Sequence, residues 1–547
     1  MSRLQTNGIL FSFLLFSTGA LAEVDARNET LSSSFELGSR LYLEGIRPSG
    51  ETITGRVRGD IELSGKQVIC GTCHRRSGMG SSEGDQVIPA VAGKMIFNPL
   101  RLPTSSDPMA PTQRPAYSEE TLKRAIRLGI DSNGLPLDPL MPRYPLSDRE
   151  LDLLIGYLKT LSREQSPGVG EKEIHFATII AGDVSAESRK ALTDVMRVYA
   201  EQKNRETRHE TFRAENAPWH KQWLFGPYRK WVIHVWELEG PGESWPEQLR
   251  ALYEKQPVFA VLSGVGEGSW RPVHNFCQTR QLPCLFPTTE LPVVDEKDFY
   301  PIYLSKGMSL EGELVDLHLS QQAADLPLVQ VFRQDDLKGR TAAEGLSASR
   351  ESVDTQRWDD QGSVPSVEFW QGVLQGREEL ALAVWMNAEQ LTNLWPLLER
   401  KKPTPRIYLS STLFGTDAGK LPVSLREHVF LTHTRELPDR TARLLMRSTG
   451  WFRMKHIYAP KSLEIQSNAY LALKVAGDAL VHIRGYFFRD YLIERIEHTV
   501  DNVPYTSVYP RISLAPGQRF AAKGGYITQF SPAARAEIIA VSDWMIP

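Results

Sequence analysis

The sequence predicts a multidomain protein in which a small helical domain precedes a larger α/β region with two lobes. Its 547 residues are more than a domain with a single hydrophobic core normally contains. Residues 162–173, SREQSPGVGEKE, are rich in Ser, Pro, Gly and charged residues, which is typical of a solvated linker. Strand and helix patterns alternate after this segment, whereas the periodic patterns before it are helical. The chain therefore changes architecture near residue 163.

Helical patterns mark both ends of the first domain. The stretch FELGSRLYLEGI begins at Phe35 and places Phe35, Leu41 and Tyr42 on one side of a helix. A second helix begins at Ser147 and Glu150, whose Ser-x-x-Glu spacing forms a capping box. We therefore predict a domain over residues 35–163, followed by a linker over 164–173.

The remaining residues, 174–547, alternate short apolar runs with amphipathic segments. Helices are predicted over 186–203, 270–280 and 388–398. The apolar runs read as strands IHFATIIAG, PVFAVLSGVGEGS, PCLFPTT, FYPIYLS, LPLVQVFR, LALAVWM, RIYLSST and HVFLTHT. Such alternation predicts parallel sheets flanked by helices, and the segment is too long for one sheet. The sequence of this segment therefore predicts two α/β lobes.

The first twenty-two residues have the pattern of a cleaved secretory signal. Arg3 precedes an apolar run over 9–16, and Ala20-Leu21-Ala22 has the small-x-small pattern of a cleavage site. The other interpretation is an uncleaved anchor, but the run is shorter than the roughly 20 residues that span a bilayer. We expect a signal peptide over residues 1–22, with the mature protein exported to a bacterial periplasm.

Charge and cysteine content exclude several classes of protein. The net charge is −3, and no basic stripe interleaved with aromatic residues suggests nucleic-acid binding. Four cysteines form only two sequence pairs, which excludes a small disulfide-stapled scaffold. No Ser-His-Asp, paired-carboxylate or phosphate-cradling arrangement stands out, so catalytic residues are not predicted and an enzyme is the less favoured interpretation.

One pair, Cys70 and Cys73, belongs to the motif Cys-Gly-Thr-Cys-His, which ends at His74. Structural zinc needs a second ligand pair, and none lies nearby in sequence. A thioredoxin-like centre does not fit the histidine and the Gly-rich context that follow. In an exported chain, Cys-x-x-Cys-His indicates covalent haem, with both thiols bonded to the haem and the imidazole on the iron.

Residues 35–163 resemble a class I mono-haem cytochrome c. The resemblance implies an all-α domain with one covalent haem c, held by Cys70 and Cys73. It also implies that His74 and Met141 are the axial ligands of the iron. Met141 has an alternative role as a core or surface methionine, with Met95 or Met109 as the ligand or the site left open.

Residues 174–547 resemble the type 1 periplasmic solute-binding proteins, especially those for branched-chain amino acids. The stretches that carry the resemblance are LSGVGEGSW, LFPTTELP, YLSKGMSLEGE and YPRISLAPGQRFAAKGGYITQF. It implies a ligand in the cleft between the lobes, at the carboxyl ends of strands. The implied lining positions are Gly264, Glu267, Ser269, Thr288, Thr289, Trp385 and Ser410. Glu267 departs from the pattern, because its charge would repel a ligand carboxylate at that turn.

The second cysteine pair, Cys277 and Cys284, lies in the first lobe. Cys277 is expected near a helix end and Cys284 on the strand after Pro283. A disulfide between them would close a short loop in an oxidising compartment. Two free buried thiols are the alternative.

These inferences predict a periplasmic c-type cytochrome that transfers electrons to a periplasmic redox partner. The solute-binding-like domain would sense a small molecule or dock that partner. A first alternative is a periplasmic solute receptor, similar to those of ABC importers, with an accessory haem. A second is the cytochrome subunit of a periplasmic dehydrogenase.

Overall fold

The chain divides into two compact units, Met1–Gln165 and Ser166–Pro547. The computed structural model describes residues 33–83, 86–102, 112–206, 229–295, 297–359, 364–483, 485–531 and 537–547. The predicted signal peptide, residues 1–22, lies outside the described residues. Among the described residues, no helix is both long enough and apolar enough to cross a membrane.

The N-terminal unit is built around a helical core. Its helices span 33–43, Cys70–His74, Gly93–Ile96, Glu119–Leu128 and Asp148–Thr160. Leu41 and Tyr42 of the first helix pack with Leu151 and Leu154 of the last one. The predicted capping box is present, since the Ser147 hydroxyl accepts from the Glu150 amide at 3.3 Å and Glu150 Oε2 accepts from the Ser147 amide at 2.8 Å.

The expectation that this unit is all-α is wrong, because three two-stranded antiparallel sheets lie between the helices. The first sheet pairs Thr54–Val57 (β1) with Ile61–Ser64 (β2). Arg58 and Gly59 between them both have positive φ, which reverses the chain in a tight turn. The other sheets pair Ser81–Glu83 (β3) with Gln86–Ile88 (β4) and Leu100–Leu102 (β5) with Thr112–Arg114 (β6).

Most of the predicted linker over residues 164–173 belongs to the C-terminal unit. The Ser166 amide donates to the Phe487 carbonyl at 3.0 Å, and the Gly168 carbonyl accepts from the His175 amide at 2.8 Å. Gly168 has φ of +87°, and a Cβ there would lie 2.2 Å from the Phe259 nitrogen. The polar, Gly-rich composition of this segment is therefore that of a tightly packed turn and not only that of a solvated linker.

The first lobe of the C-terminal unit contains a five-stranded parallel sheet. Its strands are Glu173–Ala181 (β7), Lys230–Leu238 (β8), Ala260–Gly266 (β9), Cys284–Leu285 (β10) and Pro301–Ile302 (β11). Their order across the sheet is β11-β10-β9-β7-β8. The helices of this lobe are Ala186–Glu206, Trp245–Lys255, Arg271–Thr279, Met446–Met454, Leu463–Ile483 and Arg489–Asn502. They cover both faces, so the central strands are almost wholly buried.

The second lobe contains a seven-stranded mixed sheet. Its strands are Leu328–Arg333 (β12), Asp354–Trp358 (β13), Ala381–Trp385 (β14), Arg406–Ser410 (β15), Val429–His433 (β16), Tyr526–Phe530 (β17) and Ile538–Ala540 (β18). The order is β13-β12-β14-β15-β16-β17-β18. The pairs β16–β17 and β17–β18 are antiparallel, and the pairs before them are parallel. The helices are Met308–Gln322, Leu337–Ser349, Val367–Leu374 and Trp395–Arg400. The predicted two-lobed α/β architecture is confirmed.

The chain passes between the lobes three times. It leaves the first sheet after Ile302 and enters the second-lobe core at Met308. It returns between His433 and Leu445, along which lies the short helix Pro438–Leu444, and Leu445 packs in the first-lobe core. The last passage runs from Ala522 to Tyr526. Three adjacent connections of this kind make a hinge on one side of a two-lobed body.

Several predicted elements differ in extent from the structure, and two of them show why. Pro283 and Pro287 flank β10 and limit it to two residues, because proline cannot donate to a sheet ladder. The predicted helix over 388–398 is a single 3-10 turn, Glu389–Leu391, followed by the helix Trp395–Arg400. In this segment the apolar periodicity marks burial correctly but overstates helix length.

Candidate functional site: the cleft between the lobes

The carboxyl ends of the parallel strands in the two lobes meet across a cleft. Glu267 follows β9 of the first lobe, and Lys338 lies just after β12 of the second lobe. The Lys338 ammonium lies 3.7 Å from Glu267 Oε2. The Met308 amide of the second lobe also donates to the Glu290 carbonyl at 3.0 Å. These contacts place the loops that follow the strands opposite one another, where α/β folds commonly bind ligands.

Three of the five predicted first-lobe residues make local structural contacts. Gly264 lies inside β9, and a Cβ there would be 2.9 Å from the Ile179 carbonyl oxygen, so close strand packing requires glycine. The Ser269 hydroxyl accepts from the Arg271 amide at 3.3 Å. The Thr289 hydroxyl accepts from the Leu291 amide at 3.2 Å. Glu267 pairs with Lys338, which offsets the charge that sets it apart from the family pattern.

The two predicted second-lobe residues, Trp385 and Ser410, are fully buried. The Trp385 indole donates to Gln330 Oε1 at 3.2 Å. The Ser410 hydroxyl accepts from the amides of Thr412 and Leu413 at 3.1 and 3.0 Å, which caps the turn after β15. Both side chains are therefore held inside the second lobe by these hydrogen bonds.

An ionic cluster that the sequence analysis missed joins Glu290, Arg435 and Glu464. Arg435 Nε donates to both oxygens of Glu464 at 2.9 Å, and Nη2 donates to Glu290 Oε1. Nη1 has a weaker contact, 3.4 Å to the Thr434 hydroxyl. Glu290 comes from the loop after β10, Arg435 from the passage after β16, and Glu464 from the helix Leu463–Ile483. The cluster thus lies where the lobes connect.

Burial and mutual attraction oppose each other within this ionic cluster. Burial by itself would lower the pKa of Arg435, but Glu290 and Glu464 outweigh it and raise that pKa well above its usual value. For Glu464, burial is the largest influence and raises the pKa of the carboxyl against the opposing effect of Arg435. The carboxyl of Glu464 therefore accepts a proton more easily than a free glutamate does.

A buried amide lies beside the ionic cluster. Asn468 is one helical turn after Glu464 and is 1% exposed. Its Nδ2 donates to the hydroxyl of Thr288 at 3.0 Å, which brings one predicted residue to the cluster. Among the described residues, Asn468 Oδ1 is buried and has no hydrogen-bond donor. An acceptor left unpaired in this way costs about 1–3 kcal/mol unless a ligand or water satisfies it.

A second buried carboxylate, Glu311, lies near the cleft in the second lobe. Its Oε1 accepts from the Thr412 hydroxyl at 2.5 Å and its Oε2 from the Thr432 hydroxyl at 2.6 Å. Burial raises the pKa of Glu311, and hydrogen bonds from Ser410, Thr412 and Thr432 act in the opposite direction. These hydroxyls tie the ends of β15 and β16 to the helix Met308–Gln322.

Of the four cleft residues that the sequence analysis missed, two have a local indication in the sequence and two have none. Glu290 directly follows Thr289 in LFPTTELP, and Arg435 follows a predicted strand, so both obey the carboxyl-end rule. Glu464 and Asn468 lie on a late helix with an apolar pattern, which gives no local indication of a site. Only the return of the chain to the first lobe brings them there.

Cys277 and Cys284 form a disulfide in the first lobe. Their sulfur atoms are 1.99 Å apart, and both residues are buried. They pack with Val261 and Leu282 in a hydrophobic cluster of that lobe. The bond closes a short loop between the helix Arg271–Thr279 and β10.

The cysteine-histidine motif lies in the N-terminal unit, on the short helix Cys70–His74. Cys70 is partly buried and Cys73 exposed, and neither forms a disulfide. Burial raises the pKa of the Cys70 thiol to about 11. His74 is buried, which lowers its pKa, and its Nδ1 lies 2.9 Å from the Pro89 carbonyl. Met141 is partly buried and packs against the core of the unit.

The structure is similar to solved substrate-binding proteins, all at low sequence identity. A fatty acid ABC transporter substrate-binding protein from Thermomonospora curvata is 14% identical, with 70% of this chain and 95% of that chain covered and a TM-score of 0.45. A branched-chain amino acid ABC transporter from Thermus thermophilus with bound valine is 12% identical, with 69% and 97% covered and a TM-score of 0.47. Periplasmic binding protein type 1 from Bordetella pertussis Tohama I is 12% identical, with 68% and 100% covered and a TM-score of 0.45. Neither a protein-family model nor a curated protein matches the sequence.

The predicted cytochrome function and its haem c cofactor are corrected by these findings. In the part of the chain that the structure describes, no three His, Cys, Asp or Glu side chains come together as a metal-binding group. The similar structures carry the names of substrate-binding proteins and of a transporter with bound valine, not of haem proteins. The predictions of electron transfer and of haem c are therefore wrong, and the predicted redox partner is not supported.

Proposed function

We propose that the C-terminal unit is a receptor for a small zwitterionic solute, with amino acids as the ligand class. The single observation that carries this proposal is the ionic cluster of Glu290, Arg435 and Glu464 at the connection between the lobes. Two carboxylates and one guanidinium leave one unit of negative charge there when all three are ionised. A ligand with both an ammonium and a carboxylate group complements such a set better than a ligand with a single charge.

The ammonium group of the ligand would take the acidic side of the cluster. Glu290 and Glu464 supply charge, and the buried Oδ1 of Asn468 supplies an acceptor that lacks a donor among the described residues. The Thr288 hydroxyl, bonded to Asn468, adds a further acceptor. An ammonium has three donors, which suits several acceptors arranged around one point.

The carboxylate of the ligand would take the free side of Arg435. Nε and Nη2 are bonded to the two glutamates, whereas among the described residues Nη1 has only the 3.4 Å contact with the Thr434 hydroxyl. The Arg435 side chain is 20% exposed, so a ligand can approach it. Because Arg435 lies on a passage between the lobes, its contact with a ligand couples binding to lobe closure.

The test is binding of L-leucine, L-valine, L-glutamate and L-lysine to the full chain by calorimetry and thermal unfolding. A ligand at a hundred times its dissociation constant adds about 2.7 kcal/mol to the free energy of unfolding. Thr288→Val and Asn468→Ala are expected to weaken binding about tenfold, as loss of one hydrogen-bonded group requires. Thr193→Val is the matched control, because the Thr193 hydroxyl bonds only carbonyls of its own helix.

The outcome that contradicts the proposal is equal binding by wild type, Thr288→Val and Asn468→Ala. Absence of binding by every amino acid tested would also contradict it. Loss of binding in Thr193→Val as well would point to a general effect on folding and would equally remove the support for this site.

We infer that the receptor works outside the cytoplasm, in the periplasm of a bacterium. The pattern of residues 1–22 supports export, and a buried disulfide suits an oxidising compartment. A solute receptor there would deliver its ligand to an ABC importer in the inner membrane. Removal of residues 1–22 from the secreted protein, measured by mass spectrometry, tests the export step, and an intact N-terminus would contradict it.

A further inference from the structure

A pocket with three arginines lies beside the second passage between the lobes. Its volume is about 380 Å³, and its lining residues are Glu436, Arg440, Arg443, Leu444, Met446, Arg447 and Thr506. The arginines come from the helix Pro438–Leu444 and the start of the helix Met446–Met454. None of the seven residues belongs to the ionic cluster of Glu290, Arg435 and Glu464. The pocket is therefore separate from the proposed solute site.

The charges in this arginine pocket are unbalanced. Its one carboxylate, Glu436, already accepts from the Leu437 amide at 2.9 Å and lies 3.4 Å from the Tyr526 hydroxyl. Among the described residues, Arg440, Arg443 and Arg447 take part in no ion pair. Burial and Glu436 raise the pKa of Tyr526, and Arg440 and Arg511 act in the opposite direction. Arg511 therefore adds positive charge near this tyrosine. Three arginines thus line one space that contains a single carboxylate, so positive charge is in excess there.

The pocket also offers apolar surface. Leu444 lines it, and the side chain of Met446, which is 66% exposed, adds apolar surface. The carbon chains of the arginines add further apolar area beneath their charged ends. The hydroxyl of Thr506 is the remaining polar group. An occupant therefore needs several anionic oxygens and a carbon skeleton small enough for the volume.

We propose that this arginine pocket binds a small organic anion with at least two negative charges, either a polycarboxylate or a phosphate monoester. Guanidinium groups bind both kinds of oxyanion through paired N–H donors, which is stronger and more directional than a lysine contact. Three such groups around one cavity favour a multivalent anion over a single carboxylate. Because the arginines are exposed, salt screens the attraction and binding weakens as ionic strength rises.

The experiment is calorimetric titration of the full chain with citrate, glycerol 3-phosphate and inorganic phosphate. Citrate binding identifies the polycarboxylate source, and preferential binding of glycerol 3-phosphate identifies the phosphate ester. Arg443→Gln and Arg447→Gln are each expected to weaken binding about tenfold. Raising the salt from about 20 to about 200 mM is expected to weaken it several-fold. Arg453→Gln is the matched control, because Arg453 lies one to two turns further along the same helix and stacks on Tyr458 outside the pocket.

Three results would overturn the proposal. The first is no binding of any of the three anions at low salt. The second is unchanged affinity in Arg443→Gln and Arg447→Gln while both variants keep the wild-type unfolding temperature. The third is an equal loss of affinity in Arg453→Gln, which would show a general charge effect. Amino-acid binding measured in the same variants separates this result from the proposed function, since neither arginine contacts the ionic cluster.

Discussion

The ammonium of Lys338 and the carboxylate of Glu267 lie 3.7 Å apart and join the two lobes at the carboxyl ends of their strands. Glu267 ends the turn after β9, and Lys338 begins the helix after β12, where Asp336 accepts from the Lys338 amide at 3.0 Å. The pair thus bridges two rigid elements across the cleft. Its side chains are 33% and 61% exposed, so water and salt weaken the attraction.

The coupling between Glu267 and Lys338 is expected to be small. In a double-mutant cycle of Glu267→Gln and Lys338→Met, the interaction energy should stay below about 1 kcal/mol, as for other exposed ion pairs. Urea unfolding of the four proteins measures it. A coupling above about 2 kcal/mol would contradict this expectation and show that the cleft excludes water at this point.

Removal of Arg435 is expected to destabilise the C-terminal unit strongly. Arg435→Met leaves Glu290 and Glu464 without their cation, and loss of one partner from a buried pair costs about 3 kcal/mol. The triple change Glu290→Gln, Arg435→Met and Glu464→Gln removes all three charges and should recover most of that loss. Urea unfolding at neutral pH measures both variants. A triple variant as unstable as Arg435→Met would show that packing, rather than charge, decides the effect.

Glu311 is expected to make stability depend on pH. Burial raises the pKa of its carboxyl in the folded protein above the usual value of 4.5, so the folded state holds this proton more tightly than the unfolded state. This contribution is fully present below pH 4.5 and is lost as the pH rises through the folded-state pKa. Each unit of pKa shift corresponds to about 1.4 kcal/mol.

Glu311→Gln is expected to remove this pH dependence, because glutamine keeps a similar shape without ionising. The measurement is the free energy of unfolding of both proteins between about pH 4 and pH 8. The wild-type value should fall relative to the variant as the pH rises. Parallel curves for the two proteins would refute a raised pKa at Glu311.

The disulfide between Cys277 and Cys284 is expected to add about 2 kcal/mol to the free energy of unfolding, on the chain-entropy estimate for so short a loop. Both residues are buried, so Cys277→Ala with Cys284→Ala should unfold at lower urea concentration than the oxidised protein. Oxidised and reduced wild type provide the comparison without any change in packing. Identical unfolding midpoints for these two forms would contradict the estimate.

Local sequence patterns determined much of the C-terminal architecture. Continuous apolar runs such as LALAVWM predicted buried parallel strands, and β14 is indeed buried at every position. In the N-terminal unit, the capping box at Ser147 and Glu150 likewise placed the start of its helix correctly. These features depend on interactions within a few residues, which is why the sequence alone contains them.

The prediction from sequence was wrong where short local patterns were taken to describe a whole domain. Helical patterns near residues 35–46 and 147–161 extended the expectation of an all-α unit across segments that form three small sheets. The turn at Arg58 and Gly59 depends on backbone dihedrals that no periodicity encodes. The motif at Cys70–His74 likewise carried the functional prediction further than its surroundings support.

By itself, the sequence determined the two lobes, their order along the chain and the strand ends at which a cleft forms, because hydrophobic periodicity and chain punctuation are local. Only the tertiary structure decided which side chains meet in that cleft. Arg435 lies 145 residues from Glu290 and 29 from Glu464, and the three meet because the chain crosses between the lobes three times. The charges and hydrogen bonds of the candidate site depend on those crossings, and separations of that length leave no trace in a local pattern.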